Sequence, residues 1–201
     1  MLAELTATPH VGVHRYTYNG DKEAKLVVDM EHSLDNELIY EGHVKQISKN
    51  EISGMRSTQG WVDKQYIYFV AQFSQPICSF EQESDRIATL GFDTSSGKSV
   101  VCKVGLSIVS EENARLNIES ETAAQGFDFD AIHNATRALW EGELDDITVD
   151  GGSLAERTNF YTAMYHSKVI PNIANDVNGQ FRSHDMSISR VTPGKRHFST
   201  F

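Results

Sequence analysis

The sequence predicts a mainly β protein in which an antiparallel β-sandwich is followed by helices. Over residues 1–110, short apolar runs are separated by turn signals such as Ser74-Gln75-Pro76, a spacing typical of sandwiches. Within residues 66–73 the side chains divide into two sets that point to opposite faces, as they do in a strand. From residue 111 onward, apolar residues recur with the period of a helix.

The predicted strands are bounded by residues that favour turns. The first apolar segment contains Leu5, Val11, Val13 and Tyr16 and is divided by Thr8-Pro9. The later strands are predicted at 24–30, 37–47, 66–73 and 100–109. In the third of these, one face carries Ile67, Phe69, Ala71 and Phe73, and the other carries Tyr66, Tyr68, Val70 and Gln72. Further turns are predicted at Asn19-Gly20-Asp21, Lys49-Asn50, Ser53-Gly54, Gln59-Gly60 and Ser95-Ser96-Gly97.

Three segments after residue 110 carry helical signals. Residues 111–121 fit either a short helix or an excursion from a strand edge. Residues 128–144 form a clearer helix, with Asp128 able to cap its first turn. Its predicted apolar stripe consists of Phe129, Ile132, Leu139 and Trp140. Ser153-Leu154-Ala155-Glu156 is a capping box, which predicts a helix that ends before Pro171.

Composition narrows the classes of function. The chain has 201 residues, of which 39% are hydrophobic, so it can bury a core. A net charge of -10 repels phosphate backbones and predicts no nucleic-acid partner, whereas neutral sugars remain compatible with it. No apolar run approaches the roughly 20 residues of a membrane span. Met1-Leu2-Ala3-Glu4 lacks a secretion signal, although that absence carries no weight if a longer chain precedes it.

The cysteines and histidines give no metal-binding pattern. Cys78 and Cys102 can form one bridge, but two small core residues on strands are the favoured interpretation. His10 and His14 can share one face of a strand, yet a third ligand is missing, so both are expected on the exposed surface. His166 is expected to be an ordinary helix histidine.

Two groups of carboxylates are candidates for a catalytic pair, because glycosidic cleavage uses one acid and one base or nucleophile. Asp128 and Asp130 lie where a helix begins, and Glu143, Asp145 and Asp146 lie where it ends. Both groups are interpreted as structural. No catalytic residue is therefore assigned in this chain.

The loop after Pro171 carries groups that suit sugars or cations. Asp176-Val177-Asn178-Gly179 resembles half of a calcium-binding EF-hand loop, but the bidentate glutamate is missing, so a plain turn is favoured. Arg182, His184 and Asp185 follow. A guanidinium beside a carboxylate suits a pyranose edge with several hydroxyls. Taken alone, the cluster is more typical of a surface ion pair.

Motifs along most of the chain resemble glycoside hydrolase family 92, the exo-acting α-mannosidases. The sandwich motifs are Leu5-Thr6-Ala7-Thr8-Pro9, His14-Arg15-Tyr16, Glu51-Ile52-Ser53-Gly54 with Gly60-Trp61, Tyr68-Phe69-Val70 and Val104-Gly105-Leu106-Ser107. The later motifs are more specific: Phe127-Asp128-Phe129-Asp130 with Trp140, Phe160-Tyr161-Thr162-Ala163-Met164-Tyr165-His166, Pro171-Asn172, Asp176-Val177 with Gly179, and Phe198-Ser199-Thr200-Phe201.

The resemblance implies a division of the chain into three parts. Residues 1–110 would be the β-sandwich of the family's N-terminal domain, incomplete at its start. Residues 111–150 would be a helical linker, and residues 151–201 would contain the first helix of an (α/α) barrel, the catalytic domain. Because the chain ends on the apolar Phe201, we expect an internal fragment that lacks other parts of its own polypeptide.

The resemblance also implies an activity for the full-length protein. It would be calcium-dependent, inverting hydrolysis that removes terminal α-mannose, with α-1,2 linkages expected, from mannose-containing glycans in the periplasm or outside the cell. The acid, the base and the calcium ligands would lie beyond the position of Phe201, so the isolated chain is expected to be inactive. Asp176, Arg182 and Asp185 are the expected substrate-binding residues, in a wall of the sugar pocket. The alternative is a non-catalytic carbohydrate-binding or structural sandwich module.

Overall fold

The computed structural model describes residues 1–19, 24–33, 38–60, 62–95 and 97–199. Several sequence predictions therefore lie outside the described residues. They concern Gly20 and Asp21, the predicted strand start at residue 37, Trp61, Ser96, Thr200 and Phe201.

The described part of residues 1–110 folds into nine strands. They are β1 (Leu2–Ala7), β2 (Val11–Thr17), β3 (Ala24–Asp29), β4 (Leu38–Ser48), β5 (Glu51–Gln59), β6 (Gln65–Phe73), β7 (Ile77–Ser84), β8 (Ile87–Phe92) and β9 (Ser99–Ser107). A six-stranded sheet has the order β1-β2-β9-β6-β5-β4, and a three-stranded sheet has the order β3-β8-β7. All the strand pairs in both sheets are antiparallel.

One core fills the space between the two sheets. The six-stranded sheet contributes Ile52, Phe69 and Phe73, and the three-stranded sheet contributes Leu90 and Phe92. Strand β6 alternates as the sequence predicts, because Phe69, Ala71 and Phe73 enter this core while Val70 lies in a second core on the opposite face of the sheet. The predicted antiparallel β-sandwich is confirmed.

At β5 the turn prediction was wrong, whereas the family resemblance placed a sandwich strand there; for β7 and β8 the sequence pattern predicted no strand. Ser53-Gly54, predicted as a turn, lies inside β5. A methyl group added at Gly54 would collide with the carbonyl oxygen of His43 and lie 2.6 Å from the Phe69 ring. Close packing in the sheet therefore explains this glycine. Strand β7 consists mostly of polar residues and buries Ile77, so it lacks the alternating apolar pattern from which strands are predicted.

The two cysteines are both free thiols. Cys102 on β9 is buried, as expected of a core residue, and burial raises the pKa of its thiol to about 12. Cys78 is exposed, which corrects the prediction of a core residue. It lies at a register shift between Ile77 and Ser79. Such an irregularity disturbs the alternation from which the prediction was made.

Three helices follow the strands in the described chain: α1 (Glu111–Thr122), α2 (Phe129–Leu144) and α3 (Leu154–Val169). The helical alternative for 111–121 is thus the one observed. The Asp128 side chain caps α2 by accepting a hydrogen bond from the backbone of Ala131, at 3.0 Å. The capping box of Ser153 and Glu156 begins α3 as predicted. Only the first half of the α2 stripe is buried, and Leu139 is 67% exposed.

Helices α1 and α2 build a second core on the outer face of the six-stranded sheet. Its members are Val11, Val13, Val70, Val101, Ala114, Ile118, Phe129 and Ile132. Helix α1 lies close to β9 at Gly105. A methyl group there would collide with the Ala114 carbonyl oxygen and lie 2.7 Å from Cγ1 of Ile118. The absence of a side chain at Gly105 therefore lets the helix approach the strand.

The remaining described residues form two small antiparallel ribbons. In one, β10 (Asn172–Ile173) pairs with β13 (Phe198–Ser199). In the other, β11 (Gln180–Arg182) pairs with β12 (Ile188–Arg190). We call residues 172–199 the C-terminal segment. The division of the chain at residues 110 and 150 stays a prediction.

We expect Gly105→Ala to lower the free energy of unfolding by about 2–3 kcal/mol, because the added methyl group must push α1 away from β9. Gly142→Ala is the matched control. Gly142 lies in α2 with no atom within 4 Å of an added methyl group, so alanine should stabilise the protein by about 0.5–1 kcal/mol through helix propensity. Urea unfolding followed by circular dichroism measures both. Equal stability of the two variants would contradict this packing.

Candidate functional site

The loop that follows Pro171 packs on α1, and the side chain of Asp176 holds it there as its anchor. Asp176 is only 3% exposed. Its carboxylate accepts hydrogen bonds from Ser107 Oγ (2.7 Å), Asn113 Nδ2 (2.8 Å) and Asn117 Nδ2 (2.8 Å). The backbone N–H of Gly179 donates to the Asp176 carbonyl at 2.8 Å, so residues 176–179 form a turn, as favoured from the sequence. Gly179 has φ +82°, a conformation that glycine adopts most readily.

The two asparagines that hold this carboxylate were missed in the sequence. Asn113 and Asn117 are four residues apart and lie on one face of α1. Asn117 also donates to the Leu106 carbonyl (2.8 Å), and its Oδ1 accepts from the Val177 backbone (3.1 Å). Two buried asparagines at this spacing are unusual in a helix, and they were the available signal for a polar partner.

Arg182 is held by backbone groups. Its Nε donates to the Ile108 carbonyl (2.9 Å), its Nη2 to that of Val109 (3.2 Å) and its Nη1 to that of Met186 (3.1 Å). The guanidinium carbon also lies 4.7 Å from the centre of the Tyr66 ring, a distance suited to a cation–π contact. Among the described residues no carboxylate pairs with Arg182, so the surface ion-pair interpretation was wrong.

Asp185 lies at the exposed tip between β11 and β12. Its Oδ1 accepts hydrogen bonds from Ser187 Oγ (2.6 Å) and from the Ser187 backbone (3.1 Å). These bonds lower the pKa of Asp185, so it is ionised at neutral pH. His184 beside it is also exposed. The three predicted substrate-binding residues thus share one segment but differ in setting, with Asp176 buried, Arg182 half-buried and Asp185 exposed. Their contact with substrate stays a prediction.

His10 forms a second polar cluster, which the sequence did not reveal. Its Nδ1 lies 2.5 Å from Glu121 Oε1, and its Nε2 lies 2.8 Å from the Asn175 carbonyl oxygen. Its backbone N–H and the Thr8 hydroxyl also donate to Glu121. The His10 side chain is 13% exposed, so the prediction of a surface histidine was wrong. Its partners lie 111 and 165 residues away in sequence, beyond the range of local patterns.

His14 and His166 belong to no metal-ligand cluster among the described residues. His14 is also partly buried, with Nδ1 2.8 Å from the Tyr16 hydroxyl, which again corrects the surface prediction. His166 is exposed on α3, and its ring lies 5.8 Å from that of Tyr165. Within the described residues, no three His, Cys, Asp or Glu side chains come together in a way that could hold a metal ion.

Four of the five carboxylates that the sequence offers as catalytic pairs have structural partners, as expected. Asp130 binds Arg15 at 2.7 Å, and Asp128 caps α2. Glu143 and Asp146 both bind Lys168 Nζ, at 2.9 and 2.8 Å, and so join the end of α2 to α3. Exposed ion pairs of this kind contribute about 0–1 kcal/mol each.

The described residues do not fit calcium. Asp176 is the buried carboxylate in the half EF-hand motif, but amide and hydroxyl hydrogens point at its oxygens where a cation would have to lie. Calcium requires six to eight oxygen ligands. No step of a reaction is assigned to a metal in this chain.

An open groove runs between α2 and α3. It has a volume of about 530 Å³ and is lined by Leu144, Leu154, Arg157, Thr158, Tyr161, Thr162 and Tyr165. Leu154 is 74% exposed and Tyr165 is 43% exposed, and α3 contains no buried residue. This helix therefore leaves part of its apolar surface in solvent. Among the described residues, none of the helices is long and apolar enough to cross a membrane.

Two family models together match most of the chain. The model described as the glycosyl hydrolase family 92 N-terminal domain matches residues 1–107. The model described as the glycosyl hydrolase family 92 catalytic domain matches residues 113–201.

Solved structures share the fold. A family GH92 α-mannosidase from Bacteroides thetaiotaomicron is 29% identical, has a TM-score of 0.86 and aligns with 98% of this chain. A family GH92 inverting mannosidase from Bacteroides thetaiotaomicron VPI-5482 is 20% identical, aligns with 98% of the chain and has a TM-score of 0.81. The fold of this chain is thus that of the family's N-terminal β domain and the start of its helical domain.

The chain spans a minor part of these relatives. It covers 28% of the length of each of the two structures. An uncharacterized secreted glycosidase from Arthroderma benhamiae is 28% identical over 74 residues, which are 36% of this chain and 10% of the relative.

We expect Asp176→Asn to lower the free energy of unfolding by about 2–3 kcal/mol, because the new amide hydrogens face three buried donors. Asp185→Asn, on the same segment but exposed, should change it by less than about 0.5 kcal/mol. Denaturant unfolding measures both changes, and limited proteolysis of residues 172–199 reports the local effect. Matching stabilities for the two variants would count against the anchor role of Asp176.

We also expect the α2–α3 groove to bind a hydrophobic dye and to promote self-association, because it leaves a contiguous apolar surface in solvent. The double variant Leu154→Ser/Tyr165→Ser should lower dye fluorescence by about half or more. The control Leu38→Ser/Tyr40→Ser removes the same residue types from exposed positions on β4 and should leave the signal unchanged. A monomeric wild-type chain that binds no dye would refute this expectation.

Proposed function

The chain belongs to glycosyl hydrolase family 92, and from this membership we propose that it is part of an enzyme that removes terminal α-linked mannose from glycans. The observation that carries the proposal is the match to an α-mannosidase along 98% of the chain with 29% identity. The match of residues 113–201 to the catalytic-domain model supports an enzyme over a free-standing sandwich module that binds carbohydrate.

In this proposal the chain supplies the β domain and the first helices, and the chemistry lies elsewhere. Inverting glycosidases place an acid and a base about 6.5–9.5 Å apart so that a water fits between them. The α2–α3 groove has no acidic residue in its lining, and the acids at both ends of α2 are engaged in caps and ion pairs. We therefore place the acid and the base in parts of the family's length that this chain does not span.

The finer points of the reaction are part of the same proposal. Inversion, calcium dependence and a preference for α-1,2 linkages come from the family resemblance. The calcium would be held by residues outside this chain and would supply contacts to mannose hydroxyls. Mannose-containing glycans are the proposed partners, and the net charge of -10 argues against nucleic acid. Export from the cytoplasm is proposed because one relative is named a secreted glycosidase.

The proposed contribution of this chain to the pocket is the hairpin β11–β12. Arg182 donates to three backbone carbonyls, so it would fix the shape of the wall. Asp185 is exposed and ionised, and its carboxylate can accept hydrogen bonds from sugar hydroxyls. Asp176 would act behind the wall by fastening the hairpin to α1.

We expect no mannose release when the 201-residue chain is incubated with an α-1,2-linked mannobiose and calcium, because the acid and base are missing. The Bacteroides α-mannosidase serves as the positive control for the assay. A chimaera in which this chain replaces the matching region of that enzyme should release β-mannose first, which proton NMR detects before mutarotation. Turnover by the 201-residue chain alone, or a folded but inactive chimaera, would overturn the proposal.

A further inference from the structure

We propose that His10 is a proton-dependent latch that fastens the C-terminal segment to the β domain and to α1. His10 lies in the β1–β2 connection, Glu121 lies in the last turn of α1, and Asn175 lies in the C-terminal segment. One imidazole ring therefore joins three parts of the chain. If residues 180–190 form the proposed wall of the sugar pocket, the latch also regulates the position of that wall.

The geometry requires a doubly protonated ring. Nδ1 faces a carboxylate oxygen at 2.5 Å, and Nε2 faces a backbone carbonyl oxygen at 2.8 Å. Both partners are acceptors, so each ring nitrogen must donate a proton. A neutral imidazole has one N–H only, and its other nitrogen would then meet an oxygen lone pair at hydrogen-bond distance. Losing the proton replaces one of the two bonds by a repulsive contact.

The charged groups around the ring favour the cation. Glu121 of α1 and Asp176 of the following turn are the two charges that act on His10, and both are acidic. His197 lies just before β13, and its backbone N–H donates to Oδ1 of Asn175 at 2.7 Å, while its ring stacks on that of Phe181 with the ring centres 4.1 Å apart. On the β-domain side, the Thr8 hydroxyl donates to Glu121. The described surroundings thus offer His10 acceptors and negative charge.

The pKa shifts agree with this geometry. Burial by itself lowers the pKa of His10, but the hydrogen bond and charge of Glu121, with the Asn175 carbonyl, outweigh it and raise the pKa above its usual value. Burial raises the pKa of Glu121, but the bonds from His10 and Thr8 lower it overall.

The direction of the pH dependence follows from these shifts. The contribution of His10 to the stability of the fold is complete below its ordinary pKa of 6.5, and it is lost as the pH rises through the raised pKa. The contribution of Glu121 is complete above its ordinary pKa of 4.5 and is lost on further acidification. The latch is therefore closed in mildly acidic solution and opens on the alkaline side.

Hydrogen exchange tests the latch without measuring hydrolysis, so its failure is separable from failure of the proposed function. The reporters are the amides of Ala174 and Asp176, which donate to the carbonyls of His197 and Gln180. We expect the protection factors of these two amides, corrected for intrinsic exchange, to fall as the pH increases from 6 to 9. The fall should be about tenfold for each pH unit by which the fold raises the pKa of His10. Amides inside β5 should change far less.

Two variants test whether the His10 ring causes this pH dependence. His10→Gln cannot carry the charge, so its protection of Ala174 and Asp176 should be low and independent of pH. His14→Gln is the matched control, since His14 lies on the next strand and bonds to Tyr16, and it should keep the wild-type dependence. Unchanged protection in the wild-type chain from pH 6 to 9, or the wild-type dependence in His10→Gln, would overturn the latch.

A second measurement uses the wild-type chain, so it tests the latch even if the variant His10→Gln fails to fold. In nitrogen-15 NMR of the wild-type chain at pH 6.5, both ring nitrogens of His10 should carry the shifts of a protonated imidazolium. A neutral tautomer at that pH would exclude the latch.

Discussion

The close approach of α1 to β9 is the constraint on which the rest of the structure depends. Gly105 leaves room for the backbone of Ala114 and the side chain of Ile118, so that α1 covers the outer face of the six-stranded sheet. The same helix turns Asn113 and Asn117 toward the C-terminal segment and Glu121 toward His10. Helix α1 thus packs apolar residues against β9 and its neighbouring strands and directs polar residues toward the segment. Its position decides where the candidate sugar-binding hairpin lies.

The polar contacts of α1 continue along its whole length. At its first turn, Glu111 accepts a hydrogen bond from Ser53 at 2.5 Å and lies 2.7 Å from His43 Nε2. In the middle, Arg115 binds Glu51 at 2.7 Å. These partners lie on β4 and β5, on the other side of β6 from β9. Helix α1 is therefore fixed along its axis as well as against the sheet, which suits a helix that must hold a neighbouring segment in register.

Features encoded locally could be predicted from the sequence. The capping box at Ser153, the cap at Asp128 and the two faces of β6 each depend on residues within one turn or one strand, and each is present as predicted. The resemblance motifs gave the family, because segments such as Phe160 to His166 and Asp176 to Gly179 combine particular residue types at fixed spacing.

Features that depend on distant partners could not be predicted. Gly54 suggested a turn because nothing local indicates that the His43 backbone and the Phe69 ring leave no room for a side chain. His10 suggested a surface residue because Glu121 meets it only after the sandwich and α1 have assembled. Nothing local indicates that Asp176 is buried, because its hydrogen-bond donors come from β9 and α1. The three candidate residues do lie on one segment, whereas the burial and the partners of each depend on the assembled fold, and their role in substrate binding stays a prediction.

The central claim is that the sheet, α1 and the C-terminal segment form one cooperative unit. Native-state hydrogen exchange at pH 6 across low urea concentrations tests it most directly. We expect the amides of Ala174, Asp176 and Val177 to share the opening free energy and the urea dependence of amides in α1, as members of one unit do. Exchange of those three amides through local openings that are insensitive to urea, while α1 stays protected, would contradict the claim.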